Sequence, residues 1–165
     1  MTTAAEPAGG AVEARLAELG HRVPEVAAPV AAYVPAIRHG DLVFSSGQVP
    51  FVDGALEQTG KVGEGPGLVS PEDATRLAGV CALNAIAAIR SVVGDLDRVV
   101  RVVKVVGFVA SDPAFVGQPG VINGASELLG HAFGDAGVHA RSAVGVAVLP
   151  LDVPVEVEIT VAVRD

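Results

Sequence analysis

The fold is decided by the stretch HARSAVGVAVLPLDVPVEVEITVAV, which runs from His139 to Val163. Two apolar runs in it are separated by the segment Leu149 to Pro154, whose two prolines are typical of a turn between strands. Side chains alternate along a strand. The second run therefore has an unbroken apolar face made by Val155, Val157, Ile159, Val161 and Val163. The pattern predicts two strands, the second with one deeply buried face.

The opposite faces of these two strands carry the charged groups. Arg141 begins a face of the first strand whose other side chains are small, Ala143 and Ala147 among them. Glu156 and Glu158 share one face of the second strand. We expect the arginine and the glutamates to stand on adjacent strands. An arginine beside small residues leaves room for a small anionic ligand.

Three motifs, in the same order, resemble those of a known family. Ala140-Arg141-Ser142, Leu149-Pro150 and Val155 to Glu158 resemble the C-terminal signature of the Rid family, the reactive-intermediate deaminases also called YjgF proteins. Upstream, Ser46 to Pro50 (SGQVP) is similar to the family's SGQ-I/V-P segment. The resemblance runs from about Tyr33 to the C-terminus, in a chain longer than compact members of the family.

The order of predicted elements, β-β-α-β-α-β-β, indicates an α+β fold with a mixed sheet. Two helices can cover only one face of such a sheet, so the other face meets solvent or another subunit. The low charge of Ser142 to Val148 and of Ala162 favours burial. The resemblance implies a chorismate-mutase-like homotrimer around a central barrel, with clefts between subunits. We expect one domain at residues 32–165, after an extension (1–31) containing a disordered tail, a short helix and an extended segment.

Local signals predict the remaining elements. Ser70 and Pro71 are residue types that open a helix, and Gly94 is the type that closes one. The segment from Arg98 to Ala110 is too rich in β-branched valine for a good helix and is predicted to be a buried strand. The glycine-rich segment from Asp53 to Gly67 is predicted to be a mobile loop. The other predictions are strands at Tyr33–Arg38 and Leu42–Val49, a short helix at Ala11–Leu19 and a long helix ending near Gly134.

Composition limits the classes of function. The net charge is −8 and the eleven basic residues are scattered, which argues against a nucleic-acid surface. The single cysteine, Cys81, cannot form an internal disulfide and is predicted to lie in the core. No leader with a basic and then an apolar region is visible, and no apolar run is predicted to span a bilayer. We therefore expect a cytoplasmic protein with neither a nucleic-acid nor a membrane partner.

Arg141 is the first candidate for chemistry, because a guanidinium stays charged and its planar fork matches a carboxylate. The resemblance implies that Arg141 binds the carboxylate of a 2-iminoacid or its enamine tautomer, and that Glu156 positions or activates the attacking water. The alternatives are an ion pair between subunits for Arg141 and a solvated or ion-paired role for Glu156. A carboxylate near an arginine has a low pKa, so Glu156 would be a weak base without burial or a water relay.

The resemblance also implies that the substrate cleft is lined by Tyr33, Ser46, Gly47, Asn123 and Ala143. Three of these residues also have a structural alternative: half-buried packing for Tyr33, close strand approach for Gly47 and a helix N-cap for Asn123. Ala143 lies where the family often has a cysteine, so thiol chemistry is not available at that position.

Three functions are consistent with these residues. The leading one is hydrolytic deamination of enamine/imine intermediates, such as 2-iminobutanoate or 2-iminopropanoate, to 2-oxoacids and ammonia, without metal or cofactor. The second is a non-catalytic trimer that binds small carboxylates and needs Arg141 but not Glu156. The third is an endoribonuclease, which the acidic charge disfavours. His139 would share the side of Arg141 and could shuttle a proton, although a loop residue at a strand entry is the preferred interpretation.

Overall fold

The structure, a computed structural model, describes residues 9–26 and 32–165. Residues 1–8 of the predicted disordered tail (Met1 to Gly10) and residues 27–30 of the predicted extended segment (Val23 to Val30) lie outside the described residues. The helices are α1 (Ala11–Glu18), α2 (Pro71–Val93) and α3 (Gln118–Phe133). The strands are β1 (Ala36–His39), β2 (Leu42–Ser45), β3 (Phe51–Val52), β4 (Ala55–Leu56), β5 (Val99–Ala110), β6 (Ala140–Val146) and β7 (Val155–Val163).

Five strands form one mixed sheet in the order β1-β2-β7-β5-β6. β6 runs parallel to β5, whereas every other neighbouring pair in this sheet is antiparallel. β5 thus lies between β6 and β7. The expectation that Arg141 and Glu156 stand on adjacent strands is wrong, because the strand that precedes both in the chain separates them.

The predicted apolar face of β7 is confirmed, since all five of its alternating valine and isoleucine side chains are buried. Val102, Val105 and Val109 of β5 are fully buried on the same side of the sheet. α2 and α3 pack against this side and against each other. The α+β class with both long helices on one face is therefore confirmed.

The limits of α2 follow its sequence signals. The Ser70 hydroxyl accepts a hydrogen bond from the backbone N–H of Asp73 at 3.1 Å, and Pro71 is the first helical residue. Gly94 ends the helix with φ 77°, and its N–H donates to the Arg90 carbonyl at 2.8 Å. A left-handed backbone of this kind favours glycine, because it has no Cβ to clash.

α2 corrects the expectation about membrane-spanning length. Its 23 residues include a window with a mean hydropathy of 1.5, which is long and apolar enough to cross a bilayer. In this structure 56% of that window is buried inside the protein. The apolar character of α2 is accounted for by its place in the core, with Ala82, Ile86 and Ile89 facing the sheet and α3.

α1 packs into the same core as the rest of the chain. Its Leu16 is fully buried and its Val12 nearly so. The Asp97 carboxylate accepts hydrogen bonds from the first backbone N–H groups of the helix, Ala11 at 2.7 Å and Val12 at 3.0 Å. These bonds lower the pKa of Asp97 and satisfy N–H groups that a helix start otherwise leaves free.

The predicted mobile loop is held at several points instead. β4 lies within it and forms a hairpin with β3, which directly precedes the segment. Val62 is fully buried, and its N–H donates to the Ala110 carbonyl at 2.7 Å. Arg76 of α2 donates to both oxygens of Glu57, at 2.9 and 2.5 Å. The glycines supply turns here, but buried Val62 and the exposed Arg76–Glu57 ion pair tie the segment to the domain.

The sheet face opposite the helices is apolar and uncovered in the single chain. The exposed fractions are 59% for Ile37 of β1, 44% for Val144 of β6 and 40% for Phe44 of β2. A few charged side chains lie among them, including Lys104 and Glu158. We call this surface the open face; its apolar area is what an interface core requires.

α2 and α3 approach closely at a glycine, which gives a test of the packing. A Cβ on Gly124 would collide with the Thr75 backbone carbonyl, whereas one on Gly130 in the same helix would meet open space. We expect Gly124→Ala to destabilise the fold by about 1–3 kcal/mol through overpacking. Gly130→Ala should stabilise it by about 0.5–1 kcal/mol through helix propensity. Urea unfolding measures both, and equal effects of the two variants would contradict the helix contact.

Candidate functional site

The Arg141 guanidinium lies on the helix side of the sheet, against the first turns of α3. Its Nη1 donates to the side-chain oxygen of Asn123 at 2.8 Å and to the Ser126 hydroxyl at 3.2 Å. Its Nη2 donates to the Pro119 carbonyl at 3.2 Å. The acceptor residues are four and three positions apart, which is the spacing of one helix face. One side of α3 thus positions the arginine.

None of these acceptors carries a charge. Within residues 9–26 and 32–165, the ion pairs closer than 4.0 Å involve other groups, and Arg141 has no carboxylate partner. The side chain is half-buried, so its charge is only partly solvated. A guanidinium in this state favours a bidentate anion. The alternative of an ion pair between subunits stays a prediction.

Two other predicted residues belong to the same cluster. Asn123 lies inside α3, whose N-cap is Gly117, so the interpretation of Asn123 as an N-cap is wrong. Ala143 lies on the Arg141 side of β6, paired with Gly107 of β5, and packs against the core. Its small side chain fills little of the space next to the arginine.

Sequence reasoning did not single out Ser126, and it interpreted His139 as a loop residue. The Ser126 hydroxyl lies 2.9 Å from Nε2 of His139, and Nδ1 of His139 lies 2.6 Å from the Gly137 carbonyl. Ser126 is three residues after Asn123, the spacing that places both on one helix face. That spacing, together with the position of His139 two residues before Arg141, was the signal available in the sequence.

Glu156 lies at the second cluster, where the segment after β2 runs beside β7. The Gln48 N–H donates to the Val157 carbonyl at 2.8 Å, and the Val157 N–H donates back at 3.0 Å. A Cβ on Gly47 would collide with the Glu156 carboxylate. Glycine is therefore required for the close approach of the two segments, which was the structural alternative for Gly47. The donation of the Gly47 N–H to a substrate stays a prediction.

The Glu156 carboxylate is half-buried, and this changes its acidity. Burial first, and repulsion from Glu158 second, raise its pKa above the ordinary value of 4.5. The expectation of a low pKa from a nearby arginine is wrong in the single chain, because Arg141 points to the other face. A carboxylate with a raised pKa is a stronger base.

Tyr33 and Gly47 line one cleft of about 680 Å³. Tyr33 is 55% exposed, so its ring is available at the cleft wall. The Ser46 hydroxyl donates to the Val34 carbonyl at 2.6 Å, and the Ser46 N–H donates to the Pro35 carbonyl at 2.8 Å. In this chain Ser46 thus fixes the backbone that carries Tyr33.

Asn84 supports the same cleft and was also missed. Its side-chain amide donates to the carbonyls of Val49 and Phe51, both at 3.0 Å. The available signal was an amide in the middle of an apolar helix, where a polar group needs partners. Asn84 connects α2 to the segment that follows Gly47.

The predicted residues form two groups that a single chain does not bring together. Arg141 pairs with Val105 on the helix side of the sheet, whereas Glu156 pairs with Phe108 on the open face. We call the first set the arginine group (Arg141, Asn123 and Ala143) and the second the glutamate group (Tyr33, Ser46, Gly47 and Glu156). Each group has half of what an anionic substrate and its hydrolysis require.

The described residues, 9–26 and 32–165, contain no candidate site for metal or thiol chemistry. No three His, Cys, Asp or Glu side chains come together there as metal ligands. Cys81 is fully buried, which raises its pKa well above the ordinary value. Its place in the core is confirmed, and an inaccessible neutral thiol is not a nucleophile.

The sequence profile of the family described as "YjgF/chorismate mutase-like, putative endoribonuclease" matches residues 13–161. This match, made from sequence alone, agrees with the α+β fold, in which a mixed sheet has both long helices on one face. The chain belongs to this YjgF family, which is the Rid family of the resemblance.

Individual relatives agree over nearly the full length. Protein TCP17 from Trypanosoma cruzi is 42% identical over 159 residues, which cover 96% of this chain and 98% of TCP17. A crystal structure of a protein of unknown function from Agrobacterium tumefaciens is 41% identical, with a TM-score of 0.85 and 93% of both chains covered. One described as a "putative endoribonuclease" from Shewanella oneidensis is 28% identical, with a TM-score of 0.87, covering 93% of this chain and 100% of the other.

The raised pKa of Glu156 predicts how a variant responds to pH. Below the ordinary value of 4.5 the carboxyl is protonated in both states and costs no stability. As pH rises through the raised folded pKa, the unfolded chain gives up this proton more readily, so the wild type loses stability. The margin by which Glu156→Gln exceeds the wild type in thermal unfolding midpoint should therefore grow from about pH 4 to about pH 7.

Glu64→Gln, at an exposed glutamate, controls for the loss of one negative charge. Thermal unfolding of all three proteins at several pH values gives the margins. A margin for Glu156→Gln that shrinks as pH rises would contradict the raised pKa.

Proposed function

We propose that the protein hydrolyses enamine/imine intermediates: a 2-iminoacid and water give a 2-oxoacid and ammonia. The observation that carries the proposal is the Arg141 guanidinium, half-buried and bonded in the described residues only to neutral acceptors. Substrates of this class all carry a carboxylate, whatever their side chain. The proposal matches what the family resemblance implies for this position.

Arg141 binds and orients the substrate in this proposal. Nη1 donates both of its hydrogens to Asn123 and Ser126, so Nε–H and the remaining Nη2–H form the planar fork for the two carboxylate oxygens. Ala143 leaves space next to them for the imine carbon. Because the guanidinium does not change charge at working pH, it serves as an anchor and not as a proton donor.

Glu156 acts on water. Its raised pKa makes it a more effective base for removing a proton as water attacks the electrophilic carbon. The same carboxyl gives that proton to the nitrogen, which completes a carbinolamine. It then takes the proton of the new hydroxyl and passes it to the amino nitrogen as the C–N bond breaks, which leaves the 2-oxoacid and ammonia. In the proposal the Gly47 N–H stabilises negative charge that develops during attack; the close approach of Gly47 to the Glu156 carboxylate supports this role.

A homo-oligomer joins the two groups. Arg141 and Glu156 lie on opposite faces of one sheet, so the arginine group of one copy must meet the glutamate group of another. The exposed apolar side chains of the open face supply the contact, and we propose the homotrimer that the family resemblance implies. The reaction needs water alone as co-substrate, and we place it in the cytoplasm.

A second candidate function is a non-catalytic trimer that binds small carboxylates. The arginine group is complete on one chain without Glu156, which is the observation that favours it. The two functions separate at Glu156→Gln: the enzyme loses turnover, whereas the binder retains its affinity. RNA cleavage, suggested by the descriptions of relatives, is a third function, and the net charge of −8 weighs against it.

The decisive variants are Arg141→Lys and Glu156→Gln. We expect Arg141→Lys to lower kcat/KM for imine hydrolysis by about 30- to 1000-fold, because a point charge does not reproduce a bidentate contact. Glu156→Gln should lower kcat by about 100-fold or more with little change in KM. An amino-acid oxidase generates the imine, and its decay is followed with and without the protein.

Arg22→Lys is the matched control, because Arg22 is exposed and belongs to neither group. It should retain wild-type rates. No acceleration of imine decay by the wild type, across several amino acids, would rule out the deaminase. If the protein still bound pyruvate in that case, the function of a non-catalytic carboxylate binder would be favoured.

The open face predicts the assembly state. We expect Phe44→Asp to convert the oligomer to smaller species and to abolish imine hydrolysis, since a buried aspartate is costly at an interface. Val116→Asp is the control, because Val116 is 84% exposed in the connection before α3. Sedimentation equilibrium gives the masses; a monomeric and fully active wild type would contradict the shared site.

A further inference from the structure

We propose that Ser126 and His139 are positioning residues, which hold the Arg141 guanidinium in the orientation that accepts a carboxylate. The inference rests on the proposed function, in which Arg141 binds that carboxylate. It adds a hydrogen-bonded chain that runs from the backbone of the α3–β6 connection to the guanidinium, through two side chains without a catalytic role.

The hydrogen bonds have one consistent set of directions. Arg141 Nη1 can only donate, so the Ser126 oxygen accepts from it at 3.2 Å. A carbonyl can only accept, so Nδ1 of His139 donates to Gly137 at 2.6 Å. In the neutral imidazole Nε2 is then the acceptor, and the Ser126 hydroxyl donates to it at 2.9 Å. Every member of the chain has a partner.

This chain restricts a side chain that otherwise has much freedom. Arginine loses much of its rotamer entropy when it is held in one conformation. His139 turns the hydroxyl proton of Ser126 away from Arg141, so a lone pair faces the guanidinium. Gly137, which orients the imidazole, is buried. The arginine is therefore oriented before the ligand arrives, and binding does not bear that cost.

The geometry also explains why both residues are needed together. Without His139 the Ser126 hydroxyl can rotate and offer its proton toward Arg141, which is repulsive. Without Ser126 the imidazole has no contact with Arg141 in the described hydrogen bonds. His139 therefore acts on the arginine through Ser126.

The experiment uses the full chain and pyruvate as the binding probe, measured by calorimetry, alongside imine hydrolysis. Ser126→Ala should raise the pyruvate Kd and the imine KM about three- to tenfold, with kcat within about twofold. Ser126→Thr keeps the hydroxyl and should restore most of the affinity. His139→Ala should weaken binding by no more than Ser126→Ala does. The double variant Ser126→Ala/His139→Ala should bind about as well as Ser126→Ala alone, since the shared path is already broken.

Ser91→Ala and His131→Ala are matched controls: Ser91 is a helical serine bonded to the Ala88 carbonyl, and His131 an exposed histidine of α3. Both should bind pyruvate like the wild type, and thermal unfolding of every variant separates loss of affinity from loss of fold. If the wild type binds pyruvate and Ser126→Ala binds equally well, the positioning role is wrong and the proposed function stands. Additive losses in the double variant would overturn the shared path. A wild type that neither binds pyruvate nor hydrolyses imines overturns both proposals.

Discussion

The structure depends on the burial of one face of β7 against α2 and α3. Five alternating branched side chains on a strand near the middle of the sheet remove a large apolar area from water, at about 25 cal/mol per Å². This contact determines the orientation of everything else on the strand. Because side chains alternate, Glu156 and Glu158 must lie on the face away from the helices.

The same alternation, combined with strand order, separates the site into two groups. β6 pairs in parallel with β5, in a register that sets Arg141 beside the buried Val105. Arg141 is thus forced to the helix side and finds its acceptors on α3. A single chain has no way to rotate either strand without exposing its core residues, so the separation is a property of the fold. The proposed assembly with further copies would cover the apolar open face and complete both groups.

The electrostatics of the two groups differ in a way that suits their proposed roles. Arg141 retains its full charge because only neutral atoms of α3 contact it in the described chain, which leaves the charge for a ligand. Burial and the repulsion from Glu158 raise the pKa of Glu156 and so favour its neutral form. Within one chain the two side chains form no ion pair, because they lie on opposite faces of the sheet.

The sequence by itself determined the long helices, the five strands of the main sheet and the faces that are buried, because caps, glycines and alternation are local signals. It also picked out Arg141, Glu156, Gly47 and Asn123 as candidates, through motifs read in order. Tertiary structure decided that β5 separates β6 from β7, that buried Val62 anchors the glycine-rich segment, and that Asn123 lies within a helix and not at its start. It also decided the contacts of Ser126 and His139 with Arg141. These depend on strand pairing and helix docking between residues far apart in the chain, and no local pattern records which strand takes which neighbour.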